Sequence, residues 1–113
     1  MSNDIYMKYL ALDKMPTMWC PGCGNGFILQ SILRAVDELG VVRDKVVFVA
    51  GIGCSTRAVN YLDFDCMHTN HVRAIAFATG LKMANPDLHV IVLTGDGDCA
   101  SIGGNHLIHA CRR

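Results

Sequence analysis

The chain lacks an excess of charge of either sign: ten Lys and Arg balance ten Asp and Glu over 113 residues, with no basic run. That removes the electrostatic footprint expected of a nucleic-acid or anionic-membrane binder. Long apolar runs are missing too. Asp4, Lys8, Asp13 and Lys14 interrupt the first 18 residues, which hold no signal-peptide core, and no stretch approaches transmembrane length. A cytoplasmic protein is expected. Neither a GxGxxG turn nor a Walker lysine occurs, so a dinucleotide fold and a nucleoside triphosphatase find little support. Repeats, low-complexity tracts and linkers are also absent, and the length allows at most one ordinary domain.

What is present is a hydrophobic content of 51%, enough for a packed core, together with six cysteines. In a reducing compartment these are poor disulfide candidates and better ligands or core residues. Leu29, Ile32, Leu33 and Val36 mark one apolar face of a helix over Phe27 to Leu39, stopped by Gly40. Lys45 to Ala50 and His89 to Thr94 are short β-branched runs, hence buried strands. Between them lies an Ala-rich helix, Ala74 to Met83, ended by Asn85-Pro86-Asp87, and helix resumes from Ser101. Strands that are apolar throughout and alternate with helices predict an α/β fold, a parallel sheet covered on both faces. Asn105 to Arg113 has no closing cap, so the chain is expected to be part of a longer subunit.

Three glycine-flanked sites carry the chemistry: Cys20-Pro21-Gly22-Cys23, Gly51-Ile52-Gly53-Cys54-Ser55 and Gly95-Asp96-Gly97-Asp98. The last two fall at strand ends, where ligands of parallel sheets bind. Asp96 between two glycines suits a hard divalent cation whose other sites go to phosphate oxygens. An ordinary strand–helix turn with Asp98 as a cap is the bland alternative. Cys20 and Cys23 can chelate zinc or an iron–sulfur cluster edge, or form a redox dithiol. Cys54 adds a third thiolate, and a fourth ligand would lie beyond Arg113. Cys66, Cys99 and Cys111 lack glycine-turn contexts and read as core. His68, His71 and Arg73 cluster before a helix start and suit a phosphate or carboxylate, although isolated histidines there would read as surface residues.

With those residues in view, the chain closely resembles the N-terminal half of the β subunit of 2-oxoacid:ferredoxin oxidoreductases, most of all the 2-oxoglutarate type. The matching stretches are Trp19-CPGCGNG, GIGCSTR, the segment from His68 to Ala74, and ANPDLHVIVLTGDGD followed by IGGNHLIHACRR. The resemblance implies a thiamine-diphosphate-binding fold, left incomplete here, with residues 1–113 forming part of one domain and 1–18 an N-terminal arm. It implies Cys20, Cys23 and Cys54 as ligands of a [4Fe–4S] cluster and Asp96 as a Mg2+ ligand. Ile52, Gly53, Cys54, Ser55, His71, Gly97 and Asp98 would contact thiamine diphosphate. The fourth cluster cysteine and the Asn-containing half of the metal motif lie further downstream in the family. Val72 departs from the family's usual glycine, and Cys99 stands where alanine is common.

The implied reaction is oxidative decarboxylation of a 2-oxoacid to an acyl-CoA, electrons passing through the cluster to ferredoxin. The implied partners are an α subunit, further γ and δ subunits, ferredoxin, the 2-oxoacid and coenzyme A, with neither nucleic acid nor membrane. No side chain is an obvious general base, and the 113 residues alone are expected to be inactive. A non-redox thiamine-diphosphate decarboxylase would keep GDGD but need no cysteine triad. A zinc or iron–sulfur structural module would need the cysteines alone.

Overall fold

In the computed structural model, which describes residues 4–113, the central strand β1 (Val46–Ala50) is covered on both faces. Val46, Phe48 and Ala50 point to one side, where Leu29, Leu33 and Val36 of α2 (Asn25–Glu38) pack with Ala58, Val59, Tyr61 and Leu62. Val49 points to the other side, against Ala74 and Ala78 of α3 (Ala74–Ala84), with Val47, Val90 and Val92 around it. Period-two alternation with apolar residues on both faces is the signature of a parallel strand buried from both sides.

The sheet has three parallel strands in the order β2-β1-β3, with β2 at Asp65–His68 and β3 at His89–Leu93. Val47 pairs with Asp65 on one side and Val90 on the other, and Ala50 with His68 and Leu93. This register sets the carboxyl ends of all three strands side by side. The expected parallel α/β sheet flanked by helices is therefore the fold observed.

Some boundaries differ from expectation. Helix α2 begins two residues before Phe27, because the turn closed by Cys23 N–H donating to the Cys20 carbonyl (3.0 Å) leads straight into it. Strand β2 was not expected: Asp-Cys-Met-His is short and mostly exposed, and pairing with β1 rather than apolar pattern makes it a strand. The helix expected from Ser101 is two pieces. A π-helical turn covers Gly97–Ile102, and α4 runs over Gly104–Arg112. The core reading of the three remaining cysteines fails: Cys66 and Cys111 are exposed and Cys99 only partly covered. Partial burial of its sulfur, then the neighbouring Asp65, push the Cys66 thiol up to about 11.

Residues 4–10 fold back onto this body. Helix α1 (Asp4–Tyr9) buries Tyr9 against the α2 side of the sheet, and Leu10 bridges to Leu62. Lys8 Nζ and the Tyr9 hydroxyl both donate to Asp37 Oδ1, at 3.0 and 2.9 Å. Those donors, Lys8 first, hold the Asp37 carboxyl below the usual carboxylate range. At the other end, Lys82 Nζ donates to the Pro86 and Leu88 carbonyls, both at 2.6 Å, and so closes the turn after α3. Among the described residues no helix is long and apolar enough to cross a membrane.

Phe48 is fully buried at the centre of the sheet, whereas Phe27 on α2 is 71% exposed. Phe48→Ala should lower unfolding free energy by about 3–5 kcal/mol in urea titrations, and Phe27→Ala by less than about 0.5 kcal/mol. Equal losses would contradict this placement of the core.

Candidate functional site

Beyond the strand ends, three loops meet: Gly51–Ser55 after β1, Thr69–Arg73 after β2, and Thr94–Asp98 after β3. They are cross-tied through the backbone. Gly51 N–H donates to the Leu93 carbonyl (2.9 Å), Gly95 N–H to the Ile52 carbonyl (3.0 Å) and Thr69 N–H to the Ala50 carbonyl (2.9 Å). Side chains add further ties: Ser55 Oγ donates to the Thr94 carbonyl (2.8 Å) and Thr69 Oγ1 to the Ala50 carbonyl (3.1 Å). The first and third loops touch through Gly53 and Gly95. Gly53 has φ +120°, and a Cβ there would lie 3.1 Å from Gly95 Cα, so side chains at these positions would force the loops apart.

The two aspartates of Gly95-Asp96-Gly97-Asp98 part company. Asp96 is exposed at the start of the π-helical turn, its carboxylate open to solvent. Asp98 is 5% exposed; its Oδ2 accepts from Ile52 N–H (3.1 Å) and its Oδ1 from Val72 N–H (2.6 Å). Ile52, Gly53, Cys54 and His71 are exposed around this point, with Ser55 and Gly97 partly covered. The loop cluster, at the strand ends where the ligand crevice of a parallel sheet is expected, thus gathers the residues expected from the first and third loops and sets the His71 loop beside them. His68 turns to Asn60 Oδ1 (3.2 Å), and Arg73 contacts His106 of α4.

Val72 has φ +63°, the one non-glycine residue among those described with a left-handed backbone. Glycine, usual here in the resembling family, adopts that conformation freely, whereas a β-branched residue is strained in it by roughly 1–2 kcal/mol.

Trp19 has a part that its sequence context does not announce. Its indole N–H donates to the Cys54 carbonyl (2.7 Å), its ring meets Tyr61 edge-on at 5.4 Å, and Met18 N–H donates to the Tyr61 hydroxyl (2.8 Å). The Cys20–Cys23 turn is thereby anchored beside the Cys54 loop. Cys20 and Cys54 are exposed and Cys23 partly covered. Among the described residues, no three His, Cys, Asp or Glu side chains converge closely enough to hold a metal ion as they stand. A concavity of about 680 Å3 lies away from this chemistry, between α2, α3 and β3, and is lined mainly by apolar residues such as Val36, Ile75 and Val90.

Comparison with known proteins places this geometry in context. Residues 51–113 match the family model described as "Thiamine pyrophosphate enzyme, C-terminal TPP binding domain". The 2-oxoglutarate synthase subunit KorB of Archaeoglobus fulgidus is 58% identical over 108 residues, covering 96% of this chain and 40% of that protein. The 2-oxoglutarate oxidoreductase subunit KorB of Mycobacterium tuberculosis is 57% identical over 95 residues, covering 84% of this chain and 26% of that protein. A solved 2-oxoglutarate:ferredoxin oxidoreductase from Magnetococcus marinus, with 2-oxoglutarate, coenzyme A and succinyl-CoA bound, superposes with a TM-score of 0.86. It is 48% identical, over 96% of this chain and 37% of that one. The chain therefore spans between about a quarter and two-fifths of the length of these relatives.

If the indole N–H anchors the cysteine turn, Trp19→Phe should keep the ring contact with Tyr61 and still lose about 1 kcal/mol of stability. Ser55→Ala, which leaves the Thr94 carbonyl without its hydroxyl donor, should cost about 1–3 kcal/mol. Chemical denaturation of both variants checks this; unchanged midpoints would show that neither bond holds the loops.

Proposed function

The chain belongs to the thiamine pyrophosphate enzyme family through its C-terminal TPP binding domain, and from that premise we propose that it forms part of a 2-oxoacid:ferredoxin oxidoreductase β subunit acting on 2-oxoglutarate. The observation carrying this reading is one crevice in which a glycine-spaced exposed carboxylate, Asp96, lies on a loop packed against the loop bearing Cys54. The named relatives, all 2-oxoglutarate enzymes, support the choice of 2-oxoacid.

The donor chemistry fits the implied groups. Asp96 offers hard oxygen for Mg2+, and at Gly97, where a Cβ would meet nothing within 4 Å, the backbone can approach a diphosphate closely. Thiamine diphosphate, when bound, supplies the electron sink for decarboxylation. In this proposal Asp96 holds the cation, Ile52 to Ser55 and Gly97 shape the diphosphate seat, and His71 lines its rim. Cys20, Cys23 and Cys54 hold three corners of a [4Fe–4S] cluster, soft thiolates suiting iron, with the Trp19 indole keeping the Cys20 turn beside Cys54. An α subunit, a ferredoxin and coenzyme A complete the assembly in the cytoplasm. Placing thiolates and diphosphate seat on adjoining loops keeps the electron path short.

The anchor role predicts that Asp96→Asn weakens thiamine diphosphate binding by well over tenfold, roughly 2 kcal/mol or more, with the fold intact. Isothermal titration of the full-length complex with Mg2+ and cofactor reads this directly, and wild-type affinity would refute it. The cluster role predicts that anaerobically purified protein carries iron and acid-labile sulfide. Cys20→Ser and Cys54→Ser should lose most of it, and Cys66→Ser none. Stoichiometric zinc in place of iron would favour the structural-module reading instead, and equal loss in all three variants would remove the ligand assignment.

A further inference from the structure

We propose that Asp98 is a positioning residue, a buried carboxylate latch that joins the three loops of the crevice and holds Val72 in its left-handed backbone. Its two oxygens are divided between two loops distant in sequence. Oδ2 accepts from Ile52, 46 residues away, and Oδ1 from Val72, 26 residues away. At 5% exposure the carboxylate is nearly removed from water, and no buried side-chain nitrogen or oxygen among the described residues lacks a partner. A buried anion is tolerated when each oxygen meets a donor, and amide bonds to a charged acceptor are stronger than those to a neutral one.

The surroundings are shaped to receive it. A Cβ on Gly51 would land on Asp98 Oδ2, so glycine at the end of β1 is the vacancy that the carboxylate fills. On the opposite side a Cβ on Gly103 would collide with the Asp98 carbonyl oxygen, so glycine there lets the π-helical turn close behind the latch. The positive φ at Val72 follows from the same contact. A β-branched residue keeps such a backbone only where its surroundings over-determine it, and the 2.6 Å bond from its own N–H to Asp98 is the fixed point. With both oxygens engaged by protein amides, Asp98 sets the spacing of the crevice walls and leaves Asp96 as the exposed carboxylate.

Hydrogen exchange and thermal melting of the full-length protein without cofactor test the latch, so its fate is separate from that of the catalytic reading. Asp98→Asn has a single acceptor oxygen and cannot serve both amides. Exchange in residues 51–55 or 69–73 should rise about tenfold, while α2 stays protected. Gly51→Ala keeps the charge but displaces the carboxylate, and should open residues 69–73 as well, although they lie some 20 residues away along the chain. Val72→Gly should raise the melting midpoint by a few degrees in the wild-type background and give no gain beside Asp98→Asn. The latch is refuted if Gly51→Ala leaves residues 69–73 exchanging at the wild-type rate. It is refuted equally if Val72→Gly lowers the midpoint, or raises it by the same amount in both backgrounds.

Discussion

Everything else in this fold depends on the pairing of one short strand with two others. Strand β1 carries Val46, Phe48 and Ala50 to one helical layer and Val49 to the other, and it supplies both ladders of the sheet. A slip of one residue in either register would exchange the two faces and bury the wrong side chains. Because the register is held so firmly, three chain reversals are delivered to one edge. The crevice is where they have to meet.

How closely they meet is decided by atoms that are missing. Gly53 and Gly95 let two backbones touch, and Gly51 leaves room for a carboxylate rather than a methyl group. Two aspartates separated by a single glycine then take opposite fates. Asp98 turns inward to backbone donors, and Asp96 stays in solvent. Side chains two residues apart on a helical turn point in different directions, so the same residue type is buried at one position and exposed at the other.

Much of this was legible in the residues themselves. The β-branched runs at 46–50 and 89–93 and the apolar face Leu29, Leu33, Val36 give strands and helix because burial on two faces and on one stripe leaves different periodicities. The glycine sites mark loops that approach something closely. Strand β2 escaped notice because hydrogen bonds to β1 sustain it, and its side chains carry no burial signal. The cysteines outside glycine turns read as small apolar residues, yet exposure of Cys66 and Cys111 depends on where elements end relative to one another. The inward turn of Asp98 was equally hidden, since it needs Ile52 and Val72 in place, and no local pattern encodes partners 46 and 26 residues away. For Val72 the departure from glycine was visible; its left-handed backbone was not.

The tether of the cysteine turn also constrains the order in which this chain comes together. Met18 reaches Tyr61 across 43 residues and Trp19 reaches Cys54 across 35, while β1 and β3 join at a similar separation. Contacts of that span form slowly, because the intervening chain loses loop entropy before any of them is made. The acceptors on the Cys54–Tyr61 segment take their final places only when β1 is paired. The Cys20–Cys23 turn therefore has nothing to dock on in a nascent chain, and it settles beside the Cys54 loop only once the sheet is finished.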